Sequence, residues 1–384
     1  DIFIAPQNIG QALNGDSVKV RVFKKGPKRD EGAIVEIKER ARTQFVGTLQ
    51  FNQKGALLIP DNNRVSTEIQ ITKENLNGAR DGEKVLVKII AWPKSAGIPY
   101  GEVSSVIGIP GTNDTEMLSI LYNQGIDPIF PQAVINEAEF VPINLDSKEI
   151  ESRRDFRAIT TFTIDPLDAR DFDDAISFRK LDNGHFEIGV HIADVSHYVR
   201  PGSAMDTEAL RRSNSVYLVD RVVPMLPEQL SNIACSLRPN EDKYTFSAVF
   251  EIDTSGKVFA EWFGKTAIHS DRRFTYEEAQ EIIEGKEGDF KEEILIIDKI
   301  AKILRMARLK QGALSIESEE MRFKLDEKGN PKEVLIKTSK DAHKLVEEFM
   351  LLANRHVATY LSKPKKGKDL FPMIYRVHDV PDPA

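Results

Sequence analysis

The chain of 384 residues is 41% hydrophobic and 29% charged, which is material for two or three domains with at least one sizeable core, and nothing in it points to disorder. A single cysteine, Cys235, excludes an internal disulfide framework and any multi-cysteine zinc or iron-sulfur centre. The formal charge of −7 argues at first against a nucleic-acid partner, yet residues 1–110 hold 16 Lys and Arg against 12 Asp and Glu, so the acidic excess lies entirely in the remainder.

From 1 to about 108 short alternating segments rich in Val, Ile, Phe and Thr follow one another, VKVRVF, AIVEIKE, QFVGTLQF, GALLIPD, KVLVKIIAW and GEVSSVIG, broken by Gly, Pro, Asn and Asp. Evenly spaced short strands of this kind predict a small β-barrel or sandwich. The charged stretch KKGPKRDEG divides the region into an opening fragment and a fuller unit from about 43 to 107. A polar, Pro-containing connector with a short helix near TEMLSILYNQG is expected over 108–155.

From 156 onward strands mix with long helices, which predicts an α/β or α+β domain. Thr275 and Glu278 in TYEEAQEIIEG have the spacing of a capping box. KEEILIIDKIAKILRMARLKQG sets Ile294, Ile297, Ile300, Ile303 and Leu304 on one apolar stripe, with Gly312 as a stop. DAHKLVEEFMLLANRHVATYLS is a further helix, apolar at Leu345, Val346, Phe349, Met350 and Ala353. No apolar run approaches the ~20 residues of a membrane helix, and DIFIAPQNIGQALNGD lacks the sections of a signal peptide, so a cytoplasmic protein off the membrane is expected.

The segment ITTFTIDPLDARDFDDAISFRK carries five aspartates within ten residues. Asp165 closes one β-rich run, while Asp171, Asp173 and Asp174 open the next, so the PLDA turn can fold them toward a common point. Carboxylates so close repel one another, and more strongly as water is excluded, so such a cluster persists when it is exposed or when it holds cations. Magnesium suits it, since that ion keeps several waters and takes few protein carboxylates, and two ions would stabilise both attacking and leaving oxygens. An acidic surface loop is the competing reading from spacing alone. A calcium loop fits worse, because Ile176 falls where its glycine belongs.

TIDPLDARDFDDAIS resembles the catalytic motif of the ribonuclease II and ribonuclease R family, and the likeness continues through GVHIADVSHYVRPGSAMDTEALRRSNSVYLVDRVVPMLPEQLSNIACSLRP. The resemblance implies that Asp165, Asp171, Asp173 and Asp174 are the four metal-site aspartates, the last two most directly tied to activity, with Asp168 a turn residue outside the motif. It also implies that Tyr217 stacks on the terminal nucleotide, a grip that any base satisfies. The family takes a second aromatic of that clamp from a segment resembling GALSIESEEMRF; here the matching position holds Ile316, with Phe323 nearby, so the chain departs from the family pattern at this point. Glu347, with Glu348 as the alternative, resembles the glutamate that contacts the terminal ribose, where a 2′-hydroxyl marks RNA. His191, Asp194 and His197 could suggest a metal triad, but alternation puts the histidines on one strand face and Asp194 on the other, so they read as structural or as supports behind metal ligands and not as ligands themselves.

The first hundred residues resemble cold-shock barrels, with Phe45, Phe51, Lys54 and Arg64 as candidate single-strand contacts, strand packing or solubility being the competing reading for each. The expected fold is therefore multidomain: the end of a first cold-shock barrel at 1–30, a second OB-type barrel at 43–107, a connector at 108–155, and a mixed α+β ribonuclease II-type catalytic domain at 156–384. The resemblance implies a magnesium-dependent, processive 3′-to-5′ hydrolytic exoribonuclease that releases nucleoside 5′-monophosphates from single-stranded RNA with a free 3′ end. Mn²⁺ is expected to substitute for Mg²⁺, and the protein to act as a monomer. The chain reads as a fragment truncated at both ends and lacking the family's catalytic arginine, so it is expected to be inactive or slow by itself. Two rivals remain: a catalytically inactive RNA-binding regulator of the same fold, and a barrel-based single-strand binder whose acidic domain is structural.

Overall fold

The computed structural model describes residues 1–26, 29–65, 67–93, 95–314, 320–326, 329 and 331–363. Three strands come first, β1 (Ile2–Ile4), β2 (Ser17–Lys24) and β3 (Asp30–Glu39), in a sheet of order β1-β3-β2. β2 and β3 pair antiparallel, Arg21 opposite Ala33 and Lys24 opposite Glu31. The charged KKGPKRDEG stretch thus joins two partners in one sheet.

Next, β4 (Gln44–Asn52), β5 (Gly55–Pro60), β6 (Ile69–Thr72), β7 (Lys84–Ala91) and β8 (Tyr100–Gly108) close a barrel in the order β4-β5-β6-β8-β7. Inward residues Leu49, Leu58, Ile69, Ile71, Val85 and Val87 are fully buried, each contributing ~1.5–3 kcal/mol of transfer free energy. Phe45 joins that core, because closure sets it opposite Val87. It is therefore packing and not an RNA platform, whereas Phe51, Lys54 and Arg64 are exposed. Helix α1 (Asn113–Asn123) caps the barrel: Lys84 reaches Asp61 at 2.9 Å and Glu116 at 2.7 Å, and Leu118 and Tyr122 pack on Val46, Leu86 and Ile107.

Helices α2 (Gln132–Glu139) and α3 (Ser147–Glu151) lead to β9 (Arg154–Asp155), β10 (Thr161–Asp165), β11 (Asp174–Lys180) and β12 (Phe186–Ala193). After α4 (Val195–Tyr198), α5 (Ala204–Arg212) and the short strands β13 (Val216–Tyr217) and β14 (Val222–Val223) come β15 (Glu241–Ile252), β16 (Val258–Ser270) and β17 (Arg272–Thr275). The seven-stranded sheet runs β17-β10-β11-β12-β15-β16-β9. Helices α6 (Tyr276–Ile283), α7 (Lys291–Lys310) and α8 (Asp341–Ser362) cover one face, where Ile294, Ile297, Ile300, Leu345 and Phe349 meet Phe162, Ile188, Phe250 and Phe274. The Thr275–Glu278 capping box forms at the start of α6. A two-stranded sheet of β18 (Glu320–Leu325) and β19 (Pro331–Lys337) lies between α7 and α8 in the chain.

The chain divides into two compact units: Asp1–Phe130 with Tyr217–Val223 and Lys324–Glu333, and the described remainder. Residues 217–223, bracketed in sequence by the second unit, therefore pack with the barrel.

The opposite face of the large sheet hides a polar ladder. His191 Nδ1 lies 2.6 Å from Ser247 Oγ and Nε2 lies 2.8 Å from Ser177 Oγ, and Ser247 continues to Thr266 Oγ1 at 2.5 Å. The close fit requires Gly189, where a Cβ would stand 2.4 Å from Ser177 Oγ and 2.5 Å from His191 Nε2. β12 ends at Ala193, so Asp194 and His197 do not continue its alternation. They converge instead on buried Arg153, whose Nη2 lies 2.7 Å from Asp194 and 3.4 Å from His197 Nδ1. That buried ion pair brings Asp194 and His197 to one point and corrects the expected split of faces.

Burial, with Arg154 nearby, pushes the His191 imidazole down to about 3. The unfolded chain takes up the proton first, so this stabilisation is full above about pH 6.5 and is lost as pH falls toward the folded value, with a slope of up to about 1.4 kcal/mol per pH unit. Denaturant unfolding between neutral and acid pH should therefore show a shallower acid loss in His191→Asn than in the parent. Parallel curves for the two proteins would exclude His191 as the acid-sensitive group.

Candidate active site

β10 and β11 are antiparallel neighbours, Phe162 opposite Ile176, so the segment joining them returns at one end of the sheet. Asp165 ends β10 and Asp174 opens β11, with Asp171 and Asp173 on the irregular segment just before it. The turn predicted from PLDA is present at Leu167 and Asp168.

Asp165 is 8% exposed, and its Oδ2 has no hydrogen-bond partner. Its carboxyl is pushed up to about 7, by burial first and further by Asp174 and Asp173, with the Thr163 hydroxyl and then Arg273 opposing. Asp174 is pushed up to about 6 by burial and then by Asp173. Asp173 is open to water as a residue, yet the protein around its carboxyl and the charge of Asp171 raise it as well. The four aspartates thus form one electrostatically connected row, 165 to 174 to 173 to 171.

Among the described residues no three His, Cys, Asp or Glu side chains gather closely enough to hold an ion as they stand. Sharing an ion requires side chains to turn about χ1. The donor set fits a hard divalent cation on two observations. All four groups are carboxylates, and the buried, unpartnered Asp165 oxygen lies in a field that opposes its ionisation.

Residues that the sequence did not single out hold this geometry. β17 runs parallel to β10, with Thr163 opposite Arg273 and Asp165 opposite Thr275. From there the Arg273 guanidinium donates to the carbonyls of Pro166 and Leu167 and lies 5.4 Å from the Phe172 ring. At the other end of the segment Ser236 Oγ donates to Arg170 O at 2.9 Å and accepts from Phe172 N at 3.0 Å. Leu237 N adds a bond to Phe172 O at 2.8 Å. Tyr276, the first residue of α6, has its phenol pushed up to about 12 by burial and by Asp174 and Asp165. No local pattern marks these residues, because each reaches the aspartates through long-range pairing.

Tyr276 stacks on His343 of α8, centroids 4.0 Å apart and planes at 7°. One turn along α8, Glu347 is half-buried and pairs with Lys344 at 2.7 Å and Arg308 at 3.4 Å. Glu348 is 3% exposed and held by Arg308 at 2.5 Å. Of the two glutamates, only Glu347 retains water access. Tyr217 is 68% exposed on the β13–β14 hairpin of the barrel unit. Phe323 is exposed on β18, and Ile316 lies outside the described residues.

Comparison with known proteins gives three family matches: an RNB domain over residues 153–384, a cold shock domain over 58–131 and a ribonuclease B OB domain over 1–37. Ribonuclease R of Thermotoga maritima is 37% identical over 100% of this chain and 54% of its own length. A solved Mycoplasma genitalium RNase R in complex with ribose-methylated single-stranded RNA superposes with TM-score 0.84 at 25% identity, over 94% of this chain and 58% of that one. Yeast Ssd1, described as a pseudonuclease, shares the fold with TM-score 0.65 at 22% identity, over 94% of this chain and 51% of its own. The chain spans about half the length of the curated relatives it matches. A three-stranded sheet and a closed five-stranded barrel precede an α+β domain whose family match covers more than half of the chain, and the chain belongs to the RNB-domain family of ribonuclease II and ribonuclease R.

Proposed function

We propose that the full-length protein is a magnesium-dependent, processive 3′-to-5′ exoribonuclease, acting as a cytoplasmic monomer on single-stranded RNA and releasing nucleoside 5′-monophosphates. The observation that carries this reading is the row of four carboxylates with Asp165 and Asp174 raised and one buried oxygen unpartnered, in a chain of the RNB family. Such a row is costly unless a cation compensates it, so its presence favours catalysis over a silent RNA-binding role of the kind the pseudonuclease fold match allows.

A bound magnesium ion, or manganese in its place, would supply Lewis-acid polarisation of the terminal phosphodiester and a water acidic enough to attack near neutral pH. Asp165, Asp171, Asp173 and Asp174 are the groups that would hold it. Arg273 fixes the turn between them and keeps positive charge beside Asp165. Glu347 would accept from the ribose 2′-hydroxyl, and Tyr217 would stack on a terminal base without sequence preference. Exposed Phe51, Lys54 and Arg64 on the barrel suit a single strand's bases and phosphates.

In the full-length protein Asp174→Asn should cut turnover on a 5′-labelled RNA with magnesium by about 10²–10³-fold, the scale of several kcal/mol of lost charge stabilisation, while RNA affinity stays close to wild type. Undiminished hydrolysis would remove Asp174 from the site. Tyr217→Ala should lengthen the limit product more than it slows decay, because one stacking platform is worth ~1–3 kcal/mol per base. An unchanged limit product would make Tyr217 structural only.

A further inference from the structure

The hairpin that carries Tyr217 is fastened to the barrel unit by a compact polar junction. Asn113 Nδ2, at the first residue of α1, donates to Asp220 Oδ2 at 2.8 Å. Arg221 binds the same carboxylate at 2.7 Å and reaches Asp114 on α1 at 2.5 Å. Within the hairpin Leu218 N donates to Arg221 O at 2.8 Å, so the turn that follows Tyr217 closes on the anchoring arginine. The Asp220 side chain is 9% exposed, and Arg221 holds its carboxyl below the usual carboxylate range. A third segment closes the junction. Gly329, at φ +80°, approaches so closely that a Cβ would stand 2.9 Å from Asn113 Nδ2. Helix α1 is itself locked to the barrel by Glu116 and Lys84.

We propose that Asn113, Asp114, Asp220 and Arg221 are positioning residues that hold Tyr217 in register with the barrel, so that this junction, remote in sequence from the aspartates, sets the length of RNA the enzyme leaves behind. The proposal rests on the functional reading above and adds the determinant of its end product. Neutral and ionic partners alternate in the junction, so it can be broken and rebuilt by exchange. Asn113→Asp sets two carboxylates face to face, whereas Asn113→Asp with Asp220→Asn restores a donor–acceptor pair with its polarity reversed.

The test uses full-length wild type, Asn113→Asp, the double exchange and Arg221→Ala, each first shown to keep the wild-type unfolding transition. Amide hydrogen exchange over 217–223 reads the junction without reference to activity. Asn113→Asp and Arg221→Ala should speed it by about tenfold or more, the scale of losing a charge-assisted hydrogen bond, and the double exchange should restore part of the protection, because it rebuilds the contact to α1 while weakening the hold of Arg221 on position 220. On a 5′-labelled single-stranded RNA with magnesium, both single variants should leave longer limit fragments, gripping the shortest ones about five- to tenfold less tightly as for a displaced stacking platform, and the double exchange should shorten them again. Unchanged exchange in the single variants overturns the junction. Faster exchange with unchanged limit products overturns its positioning role. Wild type that leaves the RNA intact overturns the functional reading, and with it the assignment of product length to this junction, while the exchange arm still reports whether the tether exists.

Discussion

The repulsion among Asp165, Asp171, Asp173 and Asp174, two of them sheltered from water, is the constraint around which the second unit is organised. A carboxylate withdrawn from solvent beside others of its sign is unstable as an anion unless positive charge or hydrogen bonds compensate. Here the compensation is partial: Arg273 acts on Asp165, yet Asp165 and Asp174 remain pushed up to about 7 and about 6. The surrounding fold prevents the cluster from relaxing by moving apart. β10 and β11 are fixed side by side, β17 brings Arg273 under the turn, and Ser236 and Leu237 tie the segment's far end.

The same rigidity extends through the sheet and its helices. The His191 ladder joins β11 to β12 and β15 through side chains as well as backbone, and so supports the register that presents Asp174 at the strand's opening. On the helical face, α6 is capped by Thr275, opposite Asp165, and its first residue, Tyr276, stacks on His343 of α8. Glu347 lies one turn further along α8 from the stacked His343. The barrel unit supplies a different kind of order: its core is apolar and closed, α1 is held to it by an apolar cluster as well as the Lys84–Glu116 pair, and the Tyr217 hairpin is joined to α1 by polar bonds.

What could be read in the sequence follows from how local each feature is. The aspartate row lies within one strand-turn-strand segment, so spacing alone brought Asp165 and Asp174 together. Thr275 with Glu278, and the stripes of α7 and α8, are likewise patterns within a turn or two of helix. Arg273 was not readable, since it acts on Pro166 across 107 residues through a parallel strand pair. Nor was the inward turn of Phe45, which depends on barrel closure, or the meeting of Asp194 and His197 at Arg153, which depends on where β12 stops. The membership of Tyr217 in the barrel unit was hidden for a similar reason, because its anchors Asp220 and Arg221 bond to Asn113 and Asp114 about a hundred residues earlier.

If the carboxylate row holds a cation, its electrostatic cost is relieved on loading. Calorimetric titration of magnesium or manganese into this chain at about pH 6.5, in two buffers of different ionisation enthalpy, tests it most directly, because loading a site whose ligands are partly protonated releases protons. The account predicts saturable binding with proton release and a raised unfolding temperature, all lost in Asp165→Asn together with Asp174→Asn. Binding that is absent in the parent, or equal in the double variant, would contradict it.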